Sequence, residues 1–393
     1  MPTDSRKDCT TGKGDLVGDS QDLPFPMLFG EDVPPEYLGP SRSFDITQKL
    51  TELLGRAGPT GHRDKILILA SPQDRHVDRV ALELARRGAP VCRFHTEEFL
   101  QNCRLSINLN NPAEGLGFLE LPTCDLALDE VKSIWFRRPD LPLLDSLLNR
   151  RKPGSGGAFD FMKREADAVL RGLFGVLDKA FWVSHPDSLK AANNKLAGLK
   201  LAESLGLLIP HTLVTNDPQR VRAFFETCHG DMIVKTFYGW SGSIDGSLQT
   251  IYTSRVLPEH LDQLELVRHM PCLFQEYVPK DVELRITVIG RRVFATEIHS
   301  QNSPRSRDDW RRYDLQHTPY YPHTLPADVE AACLRILEHY GLAFGAFDMI
   351  RRPDGAYVFL ELNANGQWLW IQELTGLPLV AAMADLLIRG SIE

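Results

Sequence analysis

The sequence predicts a three-part α/β (α+β) protein, and three patterns predict it. Between 64 and 95, an apolar run, an amphipathic stretch of 3.6-residue period and a second apolar run follow one another, the order of a β-α-β start with a parallel strand pair. From 151 to 270, long helical patterns alternate with short strands. From 271 onward, short alternating strands are separated by turn residues, the mark of an antiparallel sheet. A chain of 393 residues is long enough for two or three compact units. The expected divisions are an extension at 1–60, flexible or wrapped, an N-terminal α/β domain at 61–150, a linker helix and central subdomain at 151–270, and a C-terminal subdomain at 271–393.

The elements follow in order. Residues 1–60 are rich in Gly and Pro and show no sustained period, apart from a short helix around DITQKLTELLGRAG. DKILILA (64–70) is a buried strand. DRHVDRVALELARRG is a helix, with Val77, Val80, Leu82 and Leu84 apolar and Gly88 at its stop, and PVCRFH is the next strand. No GxGxxG follows the first strand, so no dinucleotide site is expected there. RLSINLN, GFLELP and SIWFRRP read as strands, and NRRKPGSGG (149–157) as a linker. DFMKREADAVLRGLFGVLDKA is an amphipathic helix, WVSHP a short strand, and SLKAANNKLAGLKLAESLGL a second long helix. TLVTND, helix PQRVRAFFETCHG and strand DMIVKTF lead to a glycine-rich loop, YGWSGSIDGS. Strands CLFQEYVP, VELRITVIG and RRVFATEIHS come next, with a tight turn at IGRR. They are followed by helix LPADVEAACLRILEHYGL, the hairpin GAFDMIRRPDGAYVFLELN and a closing helix, PLVAAMADLLIRG.

Composition excludes several classes. A formal net charge of −8 argues against general nucleic-acid binding. No apolar run approaches the ~18 residues of a membrane helix, and the first twenty residues lack the apolar core of a signal peptide. The seven cysteines form no CxxC pair and are odd in number, so they are expected as reduced thiols in a cytoplasmic protein, not as a disulfide framework or a zinc site.

The last hairpin is the most informative stretch. If Asp354-Gly355 is a two-residue turn, Asp348 faces Glu361, and Asn363 lies on the same face as Glu361. A three-residue loop would break that pairing. Like charges directly opposed destabilise a sheet. A divalent cation between them is one remedy, and two carboxylates with an amide oxygen suit Mg²⁺, which usually keeps phosphate oxygens in its shell. Pairing of an acid with Arg351 or Arg285 is the other remedy.

A nucleotide would need phosphate cations, an adenine slot and a ribose acceptor. Lys235 ends a strand just before Gly239, Ser241 and Gly242, whose loop can bring N–H groups and hydroxyls to phosphates. The loop is not GxxxxGK[ST], and a strand-end lysine is as readily a gatekeeper. In VELRITV, Glu283, Arg285 and Thr287 alternate with apolar residues. Glu283 could accept from ribose and Arg285 could meet a phosphate or carboxylate, or the face could simply be half-exposed and polar.

The order of these features resembles the ATP-grasp superfamily, and most closely the ATP-grasp maturases of ribosomal peptides, the microviridin or graspetide ligases. SIWFRRP, NNKLAGLKLAESLGLLIPHTLVTNDP, FQEYV, DDWRR and ELNANGQWLW carry the resemblance, which spans about 63–393. It implies an ATP-grasp fold with an N-terminal pre-ATP-grasp domain, and ATP with Mg²⁺ as cofactors. In this resemblance Lys195 and Lys235 hold phosphates, Gln275, Glu276, Tyr277 and Val278 line adenine, and Glu283 binds ribose. Asp348, Glu361 and Asn363 bind magnesium, and Arg285 and Lys235 serve the phosphoryl or acyl-phosphate step. Asp309 and Arg311 match a peptide-binding stretch, and Arg137 and Arg138 match the N-domain arginine pair. Ala364 stands where a proline is common and leaves the proposed ligands intact. The implied reaction activates an Asp or Glu side chain of a precursor peptide, leader plus acidic core, and closes a macrolactone or macrolactam with Thr, Ser or Lys. A homodimer is among the implied partners, and nucleic acid and membrane are not. Another ATP-grasp carboxylate–amine ligase, acting on an amino acid, a dipeptide or a protein tail, is the alternative.

Overall fold

The structure, a computed structural model, describes residues 63–139 and 156–393, apart from 111, 112, 114, 239, 240, 245, 246, 313, 315 and 316. The expected extension at 1–60 and most of the 149–157 linker lie outside the described residues. These residues fall into two compact units, His211–Tyr277 and a larger one joining 63–210 with Val278–Glu393.

The larger unit begins with β1 (Lys65–Ala70), β2 (Val91–Phe94), β3 (Arg104–Ile107), β4 (Gly117–Glu120), β5 (Asp125–Ala127), β6 (Val131–Arg137) and β7 (Phe181–Val183). The parallel sheet runs β2-β1-β6-β7, and β3-β4-β5 form a small antiparallel sheet. Every residue of β1 is buried, as expected of a parallel strand covered on both faces. Ile66 and Ile68 pack with Val77 and Leu84 of helix Arg75–Arg86 and with Met383 and Leu387 of the closing helix. Leu67 and Leu69 pack on the other face with Phe94, Leu170 and Leu173.

Two expectations change here. Cys92 and Cys124 form a disulfide, so not all the cysteines are free thiols, although Cys103, Cys228, Cys272 and Cys333 are. The pair lies 32 residues apart, and only the shared core around β2 and β5 brings the two side chains together. The single long helix expected at 188–207 is two, Pro186–Ala192 and Lys195–Ser204. Asn194 has extended backbone, and its side chain accepts from Ala197 N at 3.1 Å, so it caps the second helix and starts it at Lys195.

The smaller unit carries β8 (Thr212–Thr215), β9 (Met232–Lys235), β10 (Ser241–Ile244), β11 (Ser247–Thr250), β12 (Ser254–Val256) and β13 (Cys272–Glu276). Its four-stranded sheet runs β12-β9-β13-β8 and packs Val234 and Phe274 on Val221 and Phe224 of helix Pro218–Thr227. The glycine-rich stretch expected as a loop is a hairpin, in which β10 pairs antiparallel with β11.

The chain then returns to the larger unit with β14 (Val282–Ile289), β15 (Arg292–Ile298), β16 (Tyr320–His323), β17 (Phe344–Arg351) and β18 (Tyr357–Asn363). They form one antiparallel sheet, β16-β15-β14-β17-β18. One face (Leu284, Ile286, Phe347, Phe359) packs on Ile336 and Leu337 of helix Ala327–Tyr340 and on Leu199. A half-exposed polar face was one of two readings of β14, but all eight residues of the strand are buried, so Glu283, Arg285 and Thr287 form a buried polar stripe.

The turn of the β17–β18 hairpin differs from the two-residue expectation. Arg352 N donates to Ala356 O and Gly355 N to Arg352 O, both at 2.9 Å, which closes a three-residue loop over Pro353, Asp354 and Gly355. Gly355 supplies the left-handed φ of +86° that such a loop needs. By itself that loop would slip the pairing by one residue. A bulge at Leu360 slips it back, because Met349 pairs Phe359 while Asp348 pairs Glu361. The expected opposition of the two acids is therefore present, by a loop and a bulge that cancel.

Loss of the Asn194 cap gives a direct test of the helix start. Asn194→Ala is expected to cost about 1 kcal/mol. In urea unfolding the midpoint should fall with the slope unchanged.

Candidate active site

The register of the C-terminal sheet lays four polar residues side by side. Arg285 on β14 pairs with Thr296 on one side and Asp348 on the other, and Asp348 pairs with Glu361. Asn363 lies two residues beyond Glu361, opposite the small Ala346. Arg285 Nη1 donates to both Asp348 oxygens at 2.9 Å. Asn363 Nδ2 donates to Asp348 Oδ2 at 2.8 Å and to Glu361 Oε1 at 3.4 Å. Lys195, at the start of its helix, reaches Glu361 Oε2 at 2.9 Å. Five of the residues singled out from the sequence thus meet in one cluster.

Charge explains why the cluster is polar throughout. Burial raises the pKa of Asp348, Arg285 opposes that rise, and the neighbouring Glu361 carboxylate adds to it. The net direction is upward, because burial outweighs the Arg285 charge. Around Arg285, its Nε and the hydroxyls of Thr287 and Thr296 are buried without hydrogen-bond partners. Arg311 belongs to the same field. Burial opposes its charge, but its bonds to Asp309 at 2.6 and 2.8 Å and the carboxylates of Asp309, Glu361 and Asp348 raise its pKa overall. Asp309 is buried, whereas Arg311 keeps 44% of its side chain exposed.

Glu283 lies on the same strand face, two residues before Arg285. Its Oε1 takes Lys280 Nζ at 2.9 Å, and its Oε2 is buried without a hydrogen-bond partner. Burial raises its pKa, and Lys280 opposes the rise. Lys280 was not singled out from the sequence, although its i,i+3 spacing to Glu283 in PKDVE is the available signal.

Arg137 and Arg138 do not reach the acids. Arg137 Nη1 donates to Asn365 O at 2.7 Å and Oδ1 at 3.0 Å, and Arg138 Nε donates to Asn365 O at 2.9 Å. Both grip the loop that follows Asn363. Arg137 is fully buried, which lowers its pKa to about 10. Arg138 is exposed and holds a φ of +46°, a strained value for a residue other than glycine. Gly366 permits the close pass of this loop, since a Cβ there would stand 2.6 Å from Arg285 Nη2 and 2.8 Å from Ala346 Cβ.

Two further residues escaped the sequence reading. Asp74 caps helix Arg75–Arg86, accepts from His76 Nδ1 at 3.0 Å, and lies 3.2 Å from Arg137 Nε. His76 Nε2 in turn accepts from Trp368 N at 3.0 Å and Leu369 N at 3.1 Å. Both lie at the start of a predicted helix, and nothing in their neighbourhood pointed to Trp368, 292 residues beyond His76.

The remaining residues sit in the smaller unit or at its boundary. Lys235 ends β9 opposite Leu273. Ser241 and Gly242 lie in β10, and Gly239 lies outside the described residues. Gln275 is buried, with Nε2 donating to Thr212 Oγ1 at 2.9 Å and Oε1 unpartnered. Glu276 Oε1 accepts from His211 N at 3.0 Å, and the Arg255 guanidinium stands 3.2 Å over the Tyr277 ring. Val278 is buried with Ile350 and Val358 in the larger unit. Among the described residues, no group of three or more His, Cys, Asp and Glu is placed to hold a metal, and no helix is long and apolar enough to cross a membrane.

Comparison with known proteins agrees with this architecture. A model of the MvdD pre-ATP grasp domain matches residues 65–190. The chain is similar to macrocyclase MdnB from Microcystis aeruginosa MRC, at 31% identity and TM-score 0.66, covering 83% of this chain and 100% of that one. A Chryseobacterium gregarium RiPP-associated ATP-grasp ligase, solved in complex with ADP and a leader and core peptide, matches at 30% identity and TM-score 0.73, covering 83% and 97%. Macrocyclase MdnC from the same Microcystis, bound with precursor peptide MdnA, matches at 28% and TM-score 0.70, covering 83% and 99%. No curated protein matches the sequence. The fold and these matches define an ATP-grasp ligase. More narrowly, the chain belongs to the RiPP-associated ATP-grasp ligases, enzymes of ribosomal peptide maturation.

Asp74 makes the site acid-sensitive. Burial would raise its pKa, but the His76 bond and the Arg137 charge bring it down from 3.8 to about 2. A carboxylate with a depressed folded pKa contributes stability that is present above 3.8 and is lost as pH falls from 3.8 to about 2. Chemical denaturation across that window should show a loss on the order of 2 kcal/mol from this group, absent in Asp74→Asn.

Proposed function

We propose that this ligase activates Asp or Glu side chains of a ribosomal precursor peptide as acyl phosphates and closes macrolactone or macrolactam rings with Thr, Ser or Lys. The observation that carries the reading is the single cross-strand row of Arg285, Asp348 and Glu361, completed by Asn363 and Lys195. Two opposed carboxylates with an amide alongside are a hard-oxygen donor set that fits Mg²⁺. Asp348, Glu361 and Asn363 would hold the metal, the amide turning its oxygen inward. Bound magnesium would neutralise triphosphate charge. Lys195 and Lys235 are the proposed phosphate ligands, and Gln275, Glu276, Tyr277 and Val278 the proposed adenine wall. The unpartnered Glu283 Oε2 is an acceptor of the kind a ribose hydroxyl needs.

In this reading, a peptide carboxylate oxygen attacks the γ-phosphorus and ADP departs. A hydroxyl or amine then attacks the acyl carbon, gives up its proton, and phosphate leaves. Arg285 stabilises the charge that develops on the transferring phosphoryl and acyl oxygens, with its Nε and the Thr287 and Thr296 hydroxyls as unused polar capacity beside it. No protein nucleophile is required, so positioning and charge stabilisation supply the catalysis. Arg311 and Arg138 are the cations proposed to meet the acidic core peptide, with Asp309 and Arg137 holding them and their surroundings in place. The precursor peptides named with the related macrocyclase and ligase support this substrate class. A cytoplasmic location, where ATP and fresh ribosomal product are both supplied, belongs to the same reading.

Mixing the protein with Mg·ATP and the peptide of an adjacent small reading frame should remove one water per ring, read by mass spectrometry. ADP release with a free amino acid, and no loss of water from the peptide, would instead favour another carboxylate–amine ligase. Glu361→Gln is expected to abolish ATP turnover while the melting temperature stays within a few degrees. Full activity in that variant would overturn the metal assignment.

A further inference from the structure

The loop from Ala364 to Leu369 follows directly on Glu361 and Asn363, and almost every residue of it is held. Ala364 is buried at 1% exposure and Trp368 at 0%. Asn365 O takes both Arg137 and Arg138, and Asn365 Nδ2 donates to Phe136 O at 3.1 Å. Gln367 O accepts from Arg285 Nη2 at 2.9 Å, while the same guanidinium grips Asp348 through Nη1. Trp368 N and Leu369 N end on His76 Nε2, and the Trp368 and His76 rings meet edge to face at 5.1 Å. Because Nε2 accepts two N–H groups, the ring proton sits on Nδ1 and is donated to Asp74 Oδ1.

We infer that Asp74 and His76 are positioning residues for ligation: together they fix the 364–369 loop and, through Gln367 O, the orientation of Arg285 over Asp348. Asp74 serves both branches. One oxygen sets the His76 tautomer, and the other faces Arg137, which grips Asn365. The arrangement parallels the orienting carboxylate of a catalytic triad, with a peptide loop in place of a nucleophile. The inference rests on the proposed role of Arg285 and adds the residues that aim it.

Two measurements test it on the full chain. The first is amide hydrogen exchange, which does not depend on the reaction. His76→Ala should speed exchange at Trp368 and Leu369 by roughly tenfold or more while β1 stays protected. The second is steady-state turnover with Mg·ATP and the peptide of the adjacent reading frame. There kcat should fall roughly tenfold to a hundredfold with KM for ATP within about twofold. His76→Gln, which keeps a neutral acceptor, should restore most of both. Asp74→Asn, which keeps the shape but favours the wrong imidazole tautomer, should lower kcat at a temperature well below its melting point, which falls by only several degrees with the lost carboxylate charge, and it stands in if His76→Ala fails to fold. Unchanged kcat in His76→Ala or Asp74→Asn, or equal losses in His76→Gln and His76→Ala, would overturn the inference. A wild-type protein that neither binds Mg·ADP nor closes rings would sink the proposed function instead, and the exchange result would still decide whether His76 holds the loop.

Discussion

The constraint on which the rest depends is the opposition of Asp348 and Glu361 inside a buried ladder. Two carboxylates in register are unstable unless positive charge comes to them. In this chain that charge arrives from three directions: Arg285 on the neighbouring strand, Lys195 from a helix that an asparagine cap starts at that residue, and Arg311 held by Asp309. Removing Arg285, the partner of the buried Asp348, leaves that acid under-compensated, a change that typically costs about 3–5 kcal/mol for a buried pair. An energetically awkward pair is thus kept in a core strand, with its compensation spread over distant elements.

That pair also explains the backbone features near it. The bulge at Leu360 exists because the three-residue Pro353–Gly355 loop would otherwise aim Glu361 at the wrong partner. Gly366 exists because the loop leaving β18 passes within contact of Arg285 and Ala346. Arg138 holds a strained φ where the parallel sheet ends and the same loop arrives. The carboxyl ends of parallel strands are a usual place for ligands in α/β folds. Here part of that edge is occupied by a loop of the C-terminal sheet, which the arginines of the N-terminal α/β part grip at Asn365.

Much of the fold was legible because its signals are local. A continuous apolar run marked β1, the hairpin pattern around Asp354-Gly355 marked β17, the 3.6 period marked helices Arg75–Arg86 and Ala327–Tyr340, and Gly290 marked the β14–β15 turn. What failed had competing local signals or none. Helical propensity across 188–207 hid the break that Asn194 makes, and glycine content hid the β10–β11 hairpin. Alternation along β14 suggested a wet face that tertiary packing buries. The Cys92–Cys124 pair had no spacing signal at all.

By itself the sequence determined the elements, the ordered lysines and acids, and the family resemblance, since residue type and period are properties of the chain alone. It determined the opposition of Asp348 and Glu361 only by good fortune, because the loop and the bulge each shift the register by one and cancel. The tertiary structure decided which cation meets which acid, that Arg137 and Arg138 grip Asn365 and do not touch the acids, and that His76, held by Asp74, reaches Trp368. The last two sets of contacts join residues more than 200 positions apart, and packing, with no local preference behind it, brings them within hydrogen-bond reach.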